Sequence, residues 1–115
     1  MFEKIEESID QLFNLEGIEA CILYRIDGVP IIVRAQEPES VLRMMFWLES
    51  QMKHVLADIK EGMKGGVFYM PTCRILISPA SKSTVLVTIA GNTAHQQLTS
   101  IEVSRTVSVI EGCVS

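Results

Sequence analysis

The stretch Ile18-Glu19-Ala20-Cys21-Ile22-Leu23-Tyr24-Arg25-Ile26-Asp27-Gly28-Val29-Pro30-Ile31-Ile32-Val33-Arg34-Ala35 decides the fold. Two apolar, β-branched runs, 18–26 and 29–35, flank Asp27-Gly28, a strong short hairpin signal because both central residues of a type I′ turn need positive φ. Pro30 lies inside the second run and has no N–H to give to a ladder, so that strand is expected at a sheet edge.

Working outward, Phe2, Ile5, Ile9, Leu12 and Phe13 recur at helical spacing with Glu3, Glu6, Glu7 and Asp10 between them. This predicts an amphipathic first helix with an acidic start, ending near Asn14 to Gly17. After the hairpin, Glu37-Pro38-Glu39-Ser40 suits the first turn of a long helix that runs to about Glu61 and stops at Gly62, Gly65 and Gly66. Three short runs follow, 67–70, 74–78 and 84–90, separated by Pro71-Thr72 and by Pro79-Ala80-Ser81-Lys82-Ser83, and they read as an antiparallel meander. Thr93 with Gln96 fits a capping box that opens a last helix, although 101–103 and 107–109 also fit a strand period. The predicted order is α-β-β-α-β-β-β-α, an α+β sandwich in one domain spanning 1–115.

The long central helix carries the most information. At 100° per residue, Val41, Met45, Leu48, Met52, Val55 and Ile59 fall within about 80° of arc and seat the helix on a sheet. Leu42, Leu56 and Met44 widen that stripe. Phe46 and Trp47 project roughly 140° and 120° away from its centre. They share the outer side with Arg43, Ser50, His54 and Ala57, where a solvated face would carry lysines and glutamates. Aromatics and arginine are the residues enriched at binding hot spots, so Arg43, Phe46, Trp47 and His54 are candidate partner-binding residues. The alternative is that one aromatic folds back over the sheet edge.

Composition narrows the function. The 115 residues are 48% hydrophobic and 21% charged, with net charge -4. That balance fits one globular domain, and the mean hydropathy of +0.29 leaves apolar surface for a partner to cover. Scattered basic residues offer no footprint for nucleic acid. With neither a basic leader nor an apolar run of membrane-spanning length, a cytoplasmic protein without membrane insertion is expected. Cys21, Cys73 and Cys113 lack the pairing or spacing of a disulfide framework or a zinc site and are expected as reduced, mostly buried thiols. No phosphate-binding, nucleophile-elbow or metalloprotease motif occurs, and His54 and His95 stand alone; no catalytic, cofactor or metal site is expected, and the chain reads as a non-enzyme.

Gly17-Ile18-Glu19-Ala20-Cys21-Ile22-Leu23 leading to Asp27-Gly28-Val29-Pro30-Ile31 resembles the signature hairpin of the roadblock/LC7 family. Ile75-Leu76-Ile77-Ser78-Pro79 followed by Val85-Leu86-Val87-Thr88-Ile89 resembles its later strands. The resemblance implies a five-stranded antiparallel sheet with the central helix on one face and the terminal helices on the other. It also implies a homodimer in which Val67, Phe68, Tyr69 and Met70 pair with their twins while the Phe46, Ser50 and Ala57 side of the helix meets its own. Members attach to motors, scaffold signalling complexes or, in the minimal prokaryotic type that this short chain resembles best, bind small Ras-like GTPases and modulate hydrolysis. A GTPase-binding regulator is therefore expected; a structural assembly subunit is the alternative, and a small-molecule sensor a third reading.

Overall fold

A computed structural model of the chain describes residues 2–37, 39, 50–59, 61, 62 and 64–114. Along the chain, α1 (Phe2–Phe13) precedes β1 (Ile18–Arg25) and β2 (Pro30–Ala35). Residues 50–59 are helical and form α2. β3 (Gly66–Tyr69), β4 (Cys73–Pro79), β5 (Thr84–Gly91) and α3 (Gln96–Val114) follow. This is the expected order. The expectations for Val41, Leu42, Arg43, Met44, Met45, Phe46, Trp47 and Leu48 lie outside the described residues.

All five strands join one antiparallel sheet in the order β2-β1-β5-β4-β3. Pro30 opens β2, an edge strand, where its missing N–H costs no ladder bond. β1 and β5 sit inside the sheet with both faces covered, which is why they read as unbroken apolar runs rather than alternating ones.

The strand period sorts side chains into two cores. Ala20, Ile22, Tyr24, Ile75, Ile77, Val85, Val87 and Ile89 meet Met52, Val55 and Leu56 of α2. On the opposite face Ile18, Cys21, Leu23, Leu86 and Ala90 meet Ile5, Ile9 and Leu12 of α1 and Val103 and Ile110 of α3. Each fully buried isoleucine or leucine contributes about 1.5–3 kcal/mol. The central helix and the terminal helices thus cover opposite faces. A register shift between Ile18 and Ala20 places both opposite consecutive β5 residues; the extra residue, Glu19, lets Ile18 turn to the α1/α3 side.

Two local expectations are corrected. The hairpin turn is not type I′: Gly28 alone takes positive φ, +95°, and among the described residues no non-glycine does. Gly28 N–H donates to the Arg25 carbonyl at 2.8 Å and Arg25 N–H to the Val29 carbonyl at 2.8 Å, which makes a three-residue loop closed by a glycine bulge. In such a loop only the last residue needs positive φ, so Asp27 keeps an ordinary one; its carboxylate accepts from the Arg25 guanidinium at 3.0 Å and from the Val29 N–H at 3.3 Å. The Arg25 hydrogen bond holds the Asp27 carboxyl below its usual range.

Nor does Thr93 cap α3. His95 does: its Nδ1 accepts the Leu98 N–H at 3.2 Å and its carbonyl accepts the Thr99 N–H at 2.9 Å. Before the helix can begin, the chain turns at 91–94, where Ala94 N–H donates to the Gly91 carbonyl at 3.1 Å. There it passes so close to the end of α1 that a Cβ on Gly17 would lie 2.3 Å from the Ala94 nitrogen.

Candidate protein interface

β3 is the far edge of the sheet, and all four of its residues are exposed. Three are large and apolar or aromatic: Val67 is 46% exposed, Phe68 37% and Tyr69 71%. An open edge, even one of four residues, presents unpaired backbone groups to which another strand can pair. Phe68 lies opposite Ile75 and so faces the α2 side, whereas Val67 opposite Leu76 and Tyr69 opposite Arg74 face the α1/α3 side. Met70 lies beyond the strand, half-buried against the α2-side core, with its N–H given to the Cys73 carbonyl at 2.9 Å.

On α2, Ser50, His54 and Ala57 are exposed and fall within about 60° of arc, opposite the buried Met52, Val55 and Leu56. Ser50 also lines a cleft of about 670 Å³ between α2 and the β1–β2 turn, together with Tyr24, Gly28 and Lys53. Arg43, Phe46 and Trp47 lie outside the described residues.

Sequence reasoning missed three surface residues. Arg74 projects beside Tyr69 into a cleft of about 340 Å³ that also holds Asn92 and Gln96. Leu98 and Ile101, 51% and 61% exposed, crown the outer side of α3. Arg74 could be found only from the strand register, which places it opposite Tyr69. The two α3 residues were obscured by a sequence that fits both helix and strand periods.

The thiols are structural in character. Burial, reinforced by the Asp10 charge, pushes Cys21 from 9.0 up to about 12. Burial and then the Glu19 charge also raise Cys73, which opens β4 rather than a loop, so neither supplies thiolate near neutral pH. Among the described residues no three His, Cys, Asp or Glu side chains are grouped to hold a metal ion, and no helix is long and apolar enough to cross a membrane.

Solved structures share this architecture. MglC from Myxococcus xanthus superposes with a TM-score of 0.79 at 13% identity, covering 96% of this chain and 99% of that one. The gliding protein MglB from Thermus thermophilus gives 0.71 at 14%, covering 95% and 87%. A roadblock/LC7 domain from Streptomyces avermitilis gives 0.65 at 17%, covering 96% and 93%. No curated protein matches the chain in sequence. With sheet order, helix placement and these superpositions in agreement, the chain has the roadblock/LC7 fold. Its residues 2–104 match the family described as AF0774-like protein, and to that family the chain belongs.

Proposed function

We propose that the chain is a homodimeric, non-enzymatic regulator that binds a small Ras-like GTPase and modulates its nucleotide cycle. The observation that carries the reading is the open β3 edge, on which Val67, Phe68 and Tyr69 stand exposed without a neighbouring strand beyond them. Pairing that edge with a twin satisfies its backbone and sets Phe68 beside its own copy. The GTPase assignment rests on the roadblock/LC7 resemblance, and the likeness of the fold to MglC and MglB supports it. In this reading Phe46, Ser50 and Ala57 join the twin contact, and Arg43, Phe46, Trp47 and His54 meet the GTPase.

The test is light scattering of the purified protein, followed by co-elution with the small GTPases of the same genome and measurement of their hydrolysis. A dimer that retains one GTPase and changes its rate is expected, with Trp47→Ala weakening retention. If no small GTPase binds, the regulatory reading fails. Stable binding of a large non-GTPase assembly would instead make the chain a structural subunit.

A further inference from the structure

We propose that two copies joined through β3 form a trough on the α3 side that holds one acidic, amphipathic α-helix of a partner protein, gripped by Tyr69 and Arg74 of both copies. The inference rests on the self-pairing proposed above and goes beyond it to a second surface, away from α2.

The backbone sets the register. Met70 directs its N–H at β4, so by alternation Phe68 does the same, while the N–H and C=O of Val67 and Tyr69 point to the open edge. An antiparallel twin bonds only where outward-pointing residues face each other. Setting Val67 opposite the twin's Tyr69 uses the whole of β3 and puts Phe68 opposite its own copy on the two-fold axis. Of the two neighbouring solutions, Val67 opposite Val67 would draw in Gly65, whose φ of +121° lies outside the strand range, and Tyr69 opposite Tyr69 would draw in Pro71, which has no N–H to give. Directly opposite residues share a face, so both α1/α3 layers lie on the same side of the joined sheet.

Dimensions and chemistry then select the occupant. α3 packs over β4 and β5. Counting across β4, β3 and their twins separates the two α3 axes by roughly four strand spacings, about 19 Å. Two helix-to-helix packing distances of about 8–10 Å each fill that span, so a single helix fits in the trough between the two α3 helices. Its floor is Val67 and Tyr69 from each copy, exposed on the α3 side. Arg74 flanks the floor on both sides. Among the described arginines, Arg25, Arg34 and Arg105 each hold a carboxylate and Arg74 alone holds none. Ser100 and Ser104 are exposed on the wall that turns away from α1, and Glu102 on the α1 side is neutralised by Arg105. An aromatic floor between two unmatched guanidinium groups suits an apolar stripe flanked by carboxylates. Neither copy makes the trough alone.

The probe is a fluorescein-labelled, stapled helical peptide with leucines along one face and glutamates beside them, titrated onto the whole protein and followed by anisotropy. One peptide per two chains is expected, with Arg74→Glu and Tyr69→Ser each weakening it about tenfold or more. A matching peptide with lysines for glutamates is expected to bind at least tenfold more weakly. Arg74→Glu, which lies in β4 and not on the paired strand, should keep the wild-type mass and unfolding temperature. The dimer is checked separately by light scattering and by disulfide formation in Phe68→Cys, whose sulfurs meet across the axis in this register. If that dimer forms but ignores the peptide, binds one per chain, or binds the lysine peptide equally, the trough is overturned and self-pairing stands. A monomer, or a dimer in which Phe68→Cys does not cross-link, overturns both the register and the trough.

Discussion

Arg105 of α3 reaches Ser8 of α1, 97 residues earlier, donating from Nη1 to the Ser8 hydroxyl at 2.9 Å and from Nη2 to its carbonyl at 3.3 Å. Glu102 holds the other side of the guanidinium, accepting from Nε at 2.8 Å. Ser8 is only 3% exposed, so this arginine supplies a partner that water cannot replace. Arg105→Ala is expected to lower stability by about 2 kcal/mol, and Ser8→Ala by about 1 kcal/mol. Urea unfolding checks this: the midpoint should fall while the slope stays constant.

Thr88 makes the opposite case. Its hydroxyl, at 0% residue exposure in the middle of β5, has no hydrogen-bond partner among the described residues. Replacing it with valine keeps the shape and removes an uncompensated polar group. Thr88→Val should therefore be neutral or raise stability by about 1 kcal/mol. Thr106→Val is the control, because that hydroxyl donates to the Glu102 carbonyl at 2.8 Å, and its loss should cost about 1 kcal/mol. Calorimetry of the two variants should move the melting temperature in opposite directions.

Glycines at positive φ separate backbone strain from collision. Gly62 takes +108° with nothing among the described residues near a new Cβ, so Gly62→Ala should cost about 1–2 kcal/mol of left-handed strain. Gly17, at +86°, would in addition drive its Cβ into the 93–94 backbone, while its carbonyl holds the Gly91 N–H at 2.8 Å. Gly17→Ala should destabilise clearly more, and the difference in denaturation midpoint between the two variants measures the collision.

Alkaline titration reads Cys21. Its folded value of about 12 lies above the ordinary 9.0, so the native state keeps a proton that the unfolded chain releases. The corresponding stability is complete below pH 9 and is lost as pH rises towards 12, at a slope of up to about 1.4 kcal/mol per unit. Cys21→Ala should flatten that part of the stability curve. At neutral pH a thiol reagent should label half-buried Cys113 before Cys21 or Cys73.

How much could be read beforehand depended on the range of the interaction. Pro30 announced an edge because the missing donor is a property of one residue. The stripe Met52, Val55 and Ile59 announced a buried helix face because its period is local, and Met52 and Val55 are indeed buried. Asp27-Gly28 marked the hairpin but not its turn, since the loop length is set by the Arg25–Val29 pairing between the strands and not by the dipeptide. Thr93 lost the cap of α3 to His95 because a tertiary approach, Gly17 to Ala94, decides where the chain is free to coil. Of the candidate interface, the open edge at 67–69 was implied by the family resemblance and not by the residues themselves, since a short apolar run does not say which strand lies beside it. Arg74 beside Tyr69 required the register, and the Arg105 to Ser8 link joins chain ends with no shared motif.

The two margins of the sheet are chemically unequal. At β3 Val67 and Tyr69 turn their N–H and C=O to the open edge, whereas β2 begins with a proline that has no hydrogen to give. A ribbon with two receptive margins that recognises itself keeps growing into a fibre. One that is receptive on a single side finishes after one addition; the proline at position 30 takes one donor out of the second margin, which makes it the poorer template and biases a self-adhesive fold towards pairs instead of polymers.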